Sequence, residues 1–254
     1  MDYDQLLKIS AELGFGLLRS GAEIYRVEES VERVLMAYGV TDPQVFAIPS
    51  LLIVTIGGVE GRPITQIKRL RAAAPNMDRV ELLNDLCRRI CRDTPSAGEA
   101  LAELDAIMGR PLYPLALHVA ACSLTAFCFA LVFGGNLADA CCAAVIGVVI
   151  RLAVAFMEGL GTNPFFRNII ASGIVAIMAM VSVHYGLGQR AAKIIIGTLM
   201  NLVPGVMITN CMRDIIAGDL IAGLFRLVEA LMVGTAIALG AGIAISAARM
   251  IWGV

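Results

Sequence analysis

Hydrophobic positions along this 254-residue chain change rhythm near residue 110. In the second of two early helical stretches, 4–19 and 22–38, Val27, Val31, Val34, Leu35 and Tyr38 recur at i, i+4, i+7, i+8 and i+11. Glu23, Glu28, Glu29, Glu32 and Arg33 lie mostly off that stripe, which predicts an amphipathic helix docked on a core. Gly39 ends it in the C-cap position. The run 44–56 that follows is rich in β-branched and apolar residues and predicts one or two strands interrupted near Pro49. Turn residues at Gly57-Gly58 and Glu60-Gly61-Arg62-Pro63 lead to a further strand over 64–70. Helices are expected near 78–92 and 96–107, the latter opened by Thr94-Pro95-Ser96.

Beyond Arg110 the period gives way to long apolar runs. No charge occurs until Asp139, and uncharged stretches of 22, 19 and 19 residues follow Arg167, Lys193 and Glu229. A membrane span needs about 20 mainly apolar residues at a rise of ~1.5 Å each. Five spans are therefore expected, at about 112–134, 138–158, 168–187, 191–210 and 220–248, the second carrying Arg151. The reading is an α+β soluble N-terminal domain, 1–110, followed by an all-α transmembrane bundle of about five helices, 111–254, in the lipid bilayer.

Composition sharpens the division. Hydrophobic residues make up 58% of the chain and charged ones 16%. Residues 1–110 hold 13 of the 20 Lys+Arg and 16 of the 21 Asp+Glu. Net charge is −1 with no basic run carrying interleaved aromatics, so no nucleic-acid partner is expected. The acidic start, Met1-Asp2-Tyr3-Asp4, does not resemble a removable signal peptide, which places the first domain in the cytoplasm and the bundle in the cytoplasmic membrane. Cys87 and Cys91 share a helix face, but the two His, His118 and His184, stand in apolar contexts and supply no further ligands; no metal and no cofactor are expected. No Gly-x-Ser-x-Gly, His-Glu-x-x-His or P-loop occurs, so the chain is not read as an enzyme or an ATP-driven pump.

The candidate chemistry sits inside the apolar half. In the fourth span Gly197, Asn201, Gly205, Thr209 and Arg213 repeat at every fourth position, with Pro204 among them. Proline lacks the N–H for the Met200 carbonyl and crowds that turn, so the helix should kink or open there. Broken helices at membrane depth are tolerated where they pack in protein or line an aqueous cavity. Asn201, Thr209 and Asn210 could hydrogen-bond an ammonium or hydroxyl, and Arg213, followed by Asp214, a carboxylate. Arg151 and Glu158 lie two turns apart on one face, and an intramembrane charge costs roughly 2.5–3.5 kcal/mol unless it meets a partner or cavity. Arg226 and Glu229, spaced i,i+3, could pair with each other, while Asp219 could be an interfacial charge. In the last span Gly234, Ala238, Gly242 and Ser246 form a small-residue ridge that calls for a helix partner, in this chain or in a hetero- or homo-oligomer.

Two segments, 19–28 (Arg-Ser-Gly-Ala-Glu-Ile-Tyr-Arg-Val-Glu) and 202–214 (Leu-Val-Pro-Gly-Val-Met-Ile-Thr-Asn-Cys-Met-Arg-Asp) with Gly218-Asp219 after it, resemble the threonine/serine exporter family, and the resemblance spans essentially the whole chain. It implies export of threonine and serine, or in some split members of a dicarboxylate such as succinate. It also implies two membrane halves of about five spans each. This chain then looks like the larger subunit of a split exporter, with a small multi-span membrane subunit supplying the second half. The resemblance puts the substrate path at Asn201, Pro204, Gly205, Thr209, Asn210, Arg213 and Asp214, and its intramembrane charge adds Arg151 to them. Gly21, Glu23 and Arg26 belong to the first domain, where a helix start can take an anion or simply be capped. The competing reading is a membrane-anchored enzyme or sensor whose soluble domain is the active part.

Overall fold

The computed structural model describes residues 3–58, 62–71, 73 and 75–252; the expected turn residues Glu60 and Gly61 fall outside them. The chain divides into two compact units, Met1–Pro111 with Val206–Leu227, and Leu112–Gly205 with Val228–Val254.

The first unit contains α1 (Tyr3–Arg19), α2 (Ile24–Ala37), β1 (Gln44–Ile48), β2 (Leu51–Gly57), β3 (Pro63–Arg69), α3 (Met77–Asp93) and α4 (Ala97–Met108). The strands form one antiparallel sheet in the order β1-β2-β3, with Ala47 opposite Leu52 and Ile56 opposite Ile64. Alternation along β2 buries Leu52, Val54 and Ile56 on one face, where they join the stripe Val27, Val31, Val34 and Leu35 of α2. α1 approaches closely because Gly14 has no side chain: a Cβ there would lie 2.5 Å from Val31 and 2.8 Å from Leu52. Leu83, Leu86 and Ile90 of α3 complete the core, and Ser96 with Glu99 closes a capping box on α4. Cys87 faces this core, its thiol donating to Ser30 O at 3.6 Å; burial pushes it up to about 12.

The second unit is all helical: α5 (Leu115–Val132), α6 (Leu137–Gly159), α7 (Pro164–His184), α8 (Ala191–Leu199) and most of α10 (Leu220–Trp252). Its buried positions are largely small: Ala126, Ala130, Ala140, Ala143, Ala171, Ala176, Ala179, Ala241 and Ala244. Helix axes meet closely where side chains vanish. A Cβ on Gly197 of α8 would lie 2.6 Å from the Ala130 nitrogen of α5, and one on Gly240 of α10 would strike the Ile169 carbonyl and the Ser172 hydroxyl of α7.

Four helices among the described residues are long and apolar enough to cross a membrane: α5, α6, α7 and α10. The sequence predicts five. The difference lies at 191–210, which is not one helix but α8, nine residues, and α9 (Gly205–Ala217), thirteen residues. At 1.5 Å per residue neither piece reaches the roughly 30 Å of a hydrocarbon core. Pro204 stands just before α9, so the missing N–H that suggested a kink accompanies a complete break. The ridge Gly234, Ala238, Gly242 and Ser246 is exposed along its length, because α10 turns the neighbouring face, with Gly240, Ala241 and Ala244, to the core.

Candidate functional site

α8 is held at both ends by polar contacts. At its start Asp139, fully buried at the head of α6, accepts the N–H groups of Gln189 at 2.6 Å and Arg190 at 3.0 Å. The Arg190 guanidinium donates to Gly134 O just beyond α5. Gly197 then touches α5 at Ala130, and Asn201 Nδ2, past the end of α8, donates to Cys122 O at 3.2 Å. The contacts march from residue 134 through 130 to 122, so α8 runs antiparallel to α5 and ends beside its middle. One further turn follows, with Leu202 N and Val203 N both donating to Leu199 O.

Arg151 lies two-thirds of the way along α6, one turn beyond Gly147, where a Cβ would come within 2.8 Å of Cys122 O. Its ion pair to Glu158 is long, 3.4 Å, and Glu158 also takes Arg167 at 3.0 Å. The expected link between Arg151 and Glu158 is present, and Arg167 joins it. Arg151 and Asn201 both belong to the second unit, the first on α6 with a long ion pair and the second past the end of α8 against Cys122 O.

The first unit assembles a different cluster. Four side chains converge on four consecutive residues, Gly21 to Ile24, at the start of α2. Asn210 Nδ2 donates to Gly21 O at 3.1 Å, Arg226 Nη2 to Ala22 O at 2.6 Å, and Arg213 Nη1 to the Glu23 carboxylate at 2.6 Å. Asp214 Oδ1 accepts the Ile24 N–H at 2.9 Å. Glu23 is the N-cap of α2 but makes no side-chain cap, so Asp214, 190 residues away, caps the helix in its place. Arg226 Nη1 also faces Asp214 Oδ2 at 3.4 Å, with the two side chains 9% and 0% exposed. This replaces the i,i+3 pairing of Arg226 with Glu229 that spacing suggests; Glu229 lies on an exposed face of α10. Arg26 joins Glu23 at 3.4 Å.

Electrostatics separate the carboxylates of this clasp. Burial pushes Glu23 up, but hydrogen bonds from its own backbone and from Arg213, with the charges of Arg26 and Arg213, outweigh it and hold the group below its ordinary value. Burial raises Asp214 above the ordinary range despite Arg226 and the Ile24 N–H, and it raises the half-buried Asp219 as well.

The eight residues expected along a substrate path thus divide evenly. Arg151, Asn201, Pro204 and Gly205 belong to the second unit; Thr209, Asn210, Arg213 and Asp214 to the first, with Gly21, Glu23, Arg26, Asp219 and Arg226. The two segments that carry the family resemblance meet: Asn210, Arg213 and Asp214 of the second bind Gly21, Glu23 and Ile24 of the first. Sequence reasoning missed two residues. Asp139 announces itself as the second member of an Asn136-x-x-Asp139 capping box, although its hold on Gln189 and Arg190 has no local signal. Glu28 falls within the first of those segments, and its bond from Ala47 N depends on the sheet.

The threonine/serine exporter family, ThrE, matches residues 8–248. A protein of Mycobacterium tuberculosis named "Probable threonine/serine exporter" is 25% identical over 238 residues, which is 93% of this chain and 45% of that protein. The chain therefore spans about half the length of the curated relative it matches. No solved structure matches. With the family matched across nearly its whole length and four helices fit to cross a membrane, the chain is a multi-pass membrane protein and belongs to the threonine/serine exporter family.

Proposed function

We propose that the chain is the larger part of a secondary exporter that carries small polar metabolites of the threonine/serine type out across the cytoplasmic membrane. In this reading the first unit, less its α9–α10 portion, is a cytoplasmic domain, and a small multi-span membrane subunit supplies a second half. The observation that carries the reading is the end of α8 beside the middle of α5, where Asn201 donates to Cys122 O and Gly147, one turn before Arg151, packs against the same carbonyl. A helix that stops halfway through apolar neighbours leaves polar backbone at membrane depth, which is how transporters hold polar solutes. Arg151 would take the solute's carboxylate and Asn201 its ammonium or hydroxyl. Asn210, Arg213 and Asp214, engaged with residues 21–24, would hold α9 against the start of α2. The matched relative's greater length supports the second half, and the exposed Gly234–Ser246 ridge offers it a face.

The test is efflux of threonine, serine and succinate from cells expressing the chain with and without a candidate partner. Arg151→Ala and Asn201→Ala are each expected to cut efflux at least tenfold while the protein remains in the membrane at normal level. Unchanged efflux in both variants would remove the site; efflux of succinate alone would replace the substrate class and keep the site.

A further inference from the structure

Glu28 lies one helical turn beyond Ile24, next to the clasp, and is half-buried. Its Oε1 accepts the Ala47 N–H of β1 at 2.7 Å. The carboxylates gathered here come from three places and share one sign: Asp214 on α9, which holds the Ile24 N–H one turn before Glu28; Asp219 between α9 and α10, whose N–H donates to Asp214 O at 2.9 Å; and Glu32, one turn further along α2 itself. Neighbouring cations are committed elsewhere, Arg26 and Arg213 to Glu23, Arg33 to Glu29, and Arg226 to Asp214. Of the other elements packed on α2, α3 presents the Cys87 thiol, held neutral by burial, and the Glu12 carboxylate of α1 is tied to Lys68. Asp214 Oδ2 is buried and accepts no hydrogen bond, so this corner of the unit already carries negative charge that is only partly compensated.

We propose that Glu28 is a proton-binding site that controls the clasp between residues 21–24 and α9: the protonated carboxyl sits beside Asp214 and Asp219 without adding repulsion, and loss of the proton loosens their hold. Burial first, then the charges of Asp219, Glu32 and Asp214, lift this carboxyl from 4.5 to about 7 against the bond from Ala47. A group raised in the closed state stabilises that state fully below its ordinary value. The stabilisation is lost as pH rises toward the raised value, and above it no further change occurs. The window therefore closes at about pH 7 and opens at the lower value the carboxyl takes once Asp214 and Asp219 withdraw, and across it the clasp weakens as protons are removed. The inference goes beyond the exporter reading and does not depend on it, because the clasp can be followed without transport.

The experiment is hydrogen exchange by mass spectrometry on the full chain in nanodiscs, from pH 5 to 8.5, expressed as protection factors that remove the intrinsic rate. The reporter is the peptide covering residues 20–27, which contains the Ile24 amide held by Asp214; a peptide from α3 monitors global unfolding. In the wild type, protection of 20–27 is expected to fall by up to tenfold per pH unit toward pH 7 and then level off, while α3 stays constant. Glu28→Gln, which keeps an acceptor for Ala47, is expected to hold the acid-side protection at every pH. Asp219→Asn removes one repelling charge and is expected to move the levelling point to lower pH. A flat wild-type profile, or the wild-type slope surviving in Glu28→Gln, would overturn the proposal. If Glu28→Gln does not fold, an unmoved levelling point in Asp219→Asn contradicts it.

Discussion

The two units solve the burial problem with opposite side chains. In the first, the fully buried positions are large: Ile9, Leu13, Leu17, Ile24, Leu35, Leu52, Leu83 and Ile90. In the second they are mostly alanines, with glycines where helices touch. Large apolar side chains stabilise a fold by leaving water, a gain available only where water is the alternative. Between helices in lipid that gain is absent, and what remains is close contact of backbones, which small residues permit. The contrast extends to polar groups. The clasp of the first unit gathers four side chains on the residues at one helix start, whereas Arg151 of the second unit has one long ion pair, to Glu158.

This contrast can be broken, most severely in the second unit by adding bulk. Gly197→Leu must drive a side chain into the backbone of Ala130, and we expect loss of the folded monodisperse protein on size-exclusion chromatography in detergent. Next is the clasp, where Arg226→Leu leaves Asp214 buried without its cation. Breaking one side of a buried pair costs about 3–5 kcal/mol, so the denaturation midpoint of the first unit should drop sharply, with partial recovery in Arg226→Leu/Asp214→Asn. Leu83→Ala in the first core should cost about 2–5 kcal/mol by the same readout, from lost transfer energy and a residual cavity. Smallest is Ala176→Gly in the second core, expected at about 0.5–1 kcal/mol because it removes one methyl and some helix preference. A cost for Ala176→Gly equal to that of Leu83→Ala would show that the two cores do not differ in kind.

Local patterns were legible in the sequence, and distant pairings were not. The stripe from Val27 to Leu35 and the alternation through Leu52, Val54 and Ile56 specify their elements because each follows from one segment's own period. Pro204 marked the weak point of its helix for an equally local reason, yet the apolar run 194–212 still reads as one span by hydropathy, which averages over a break. The clasp escaped because Asp214 and Ile24 are joined only by folding. Spacing offers Glu229 to Arg226, but the buried Asp214 and the Ala22 carbonyl hold it instead. The polar residues of 201–214 read as one path along one helix. Once the helix is broken, Asn201 and Asn210 belong to different units with different partners, Cys122 and Gly21.

The central claim is that the chain between α8 and α9 borders water within the bilayer. Single cysteines placed from 197 to 205 in a background without the native seven, and exposed to a membrane-impermeant thiol reagent in the assembled exporter, test it directly. Labelling at 200–204, slowed by added threonine and absent at the packed position 197, is the predicted result. Failure of every position to react, with or without substrate and from either side of the membrane, would contradict it.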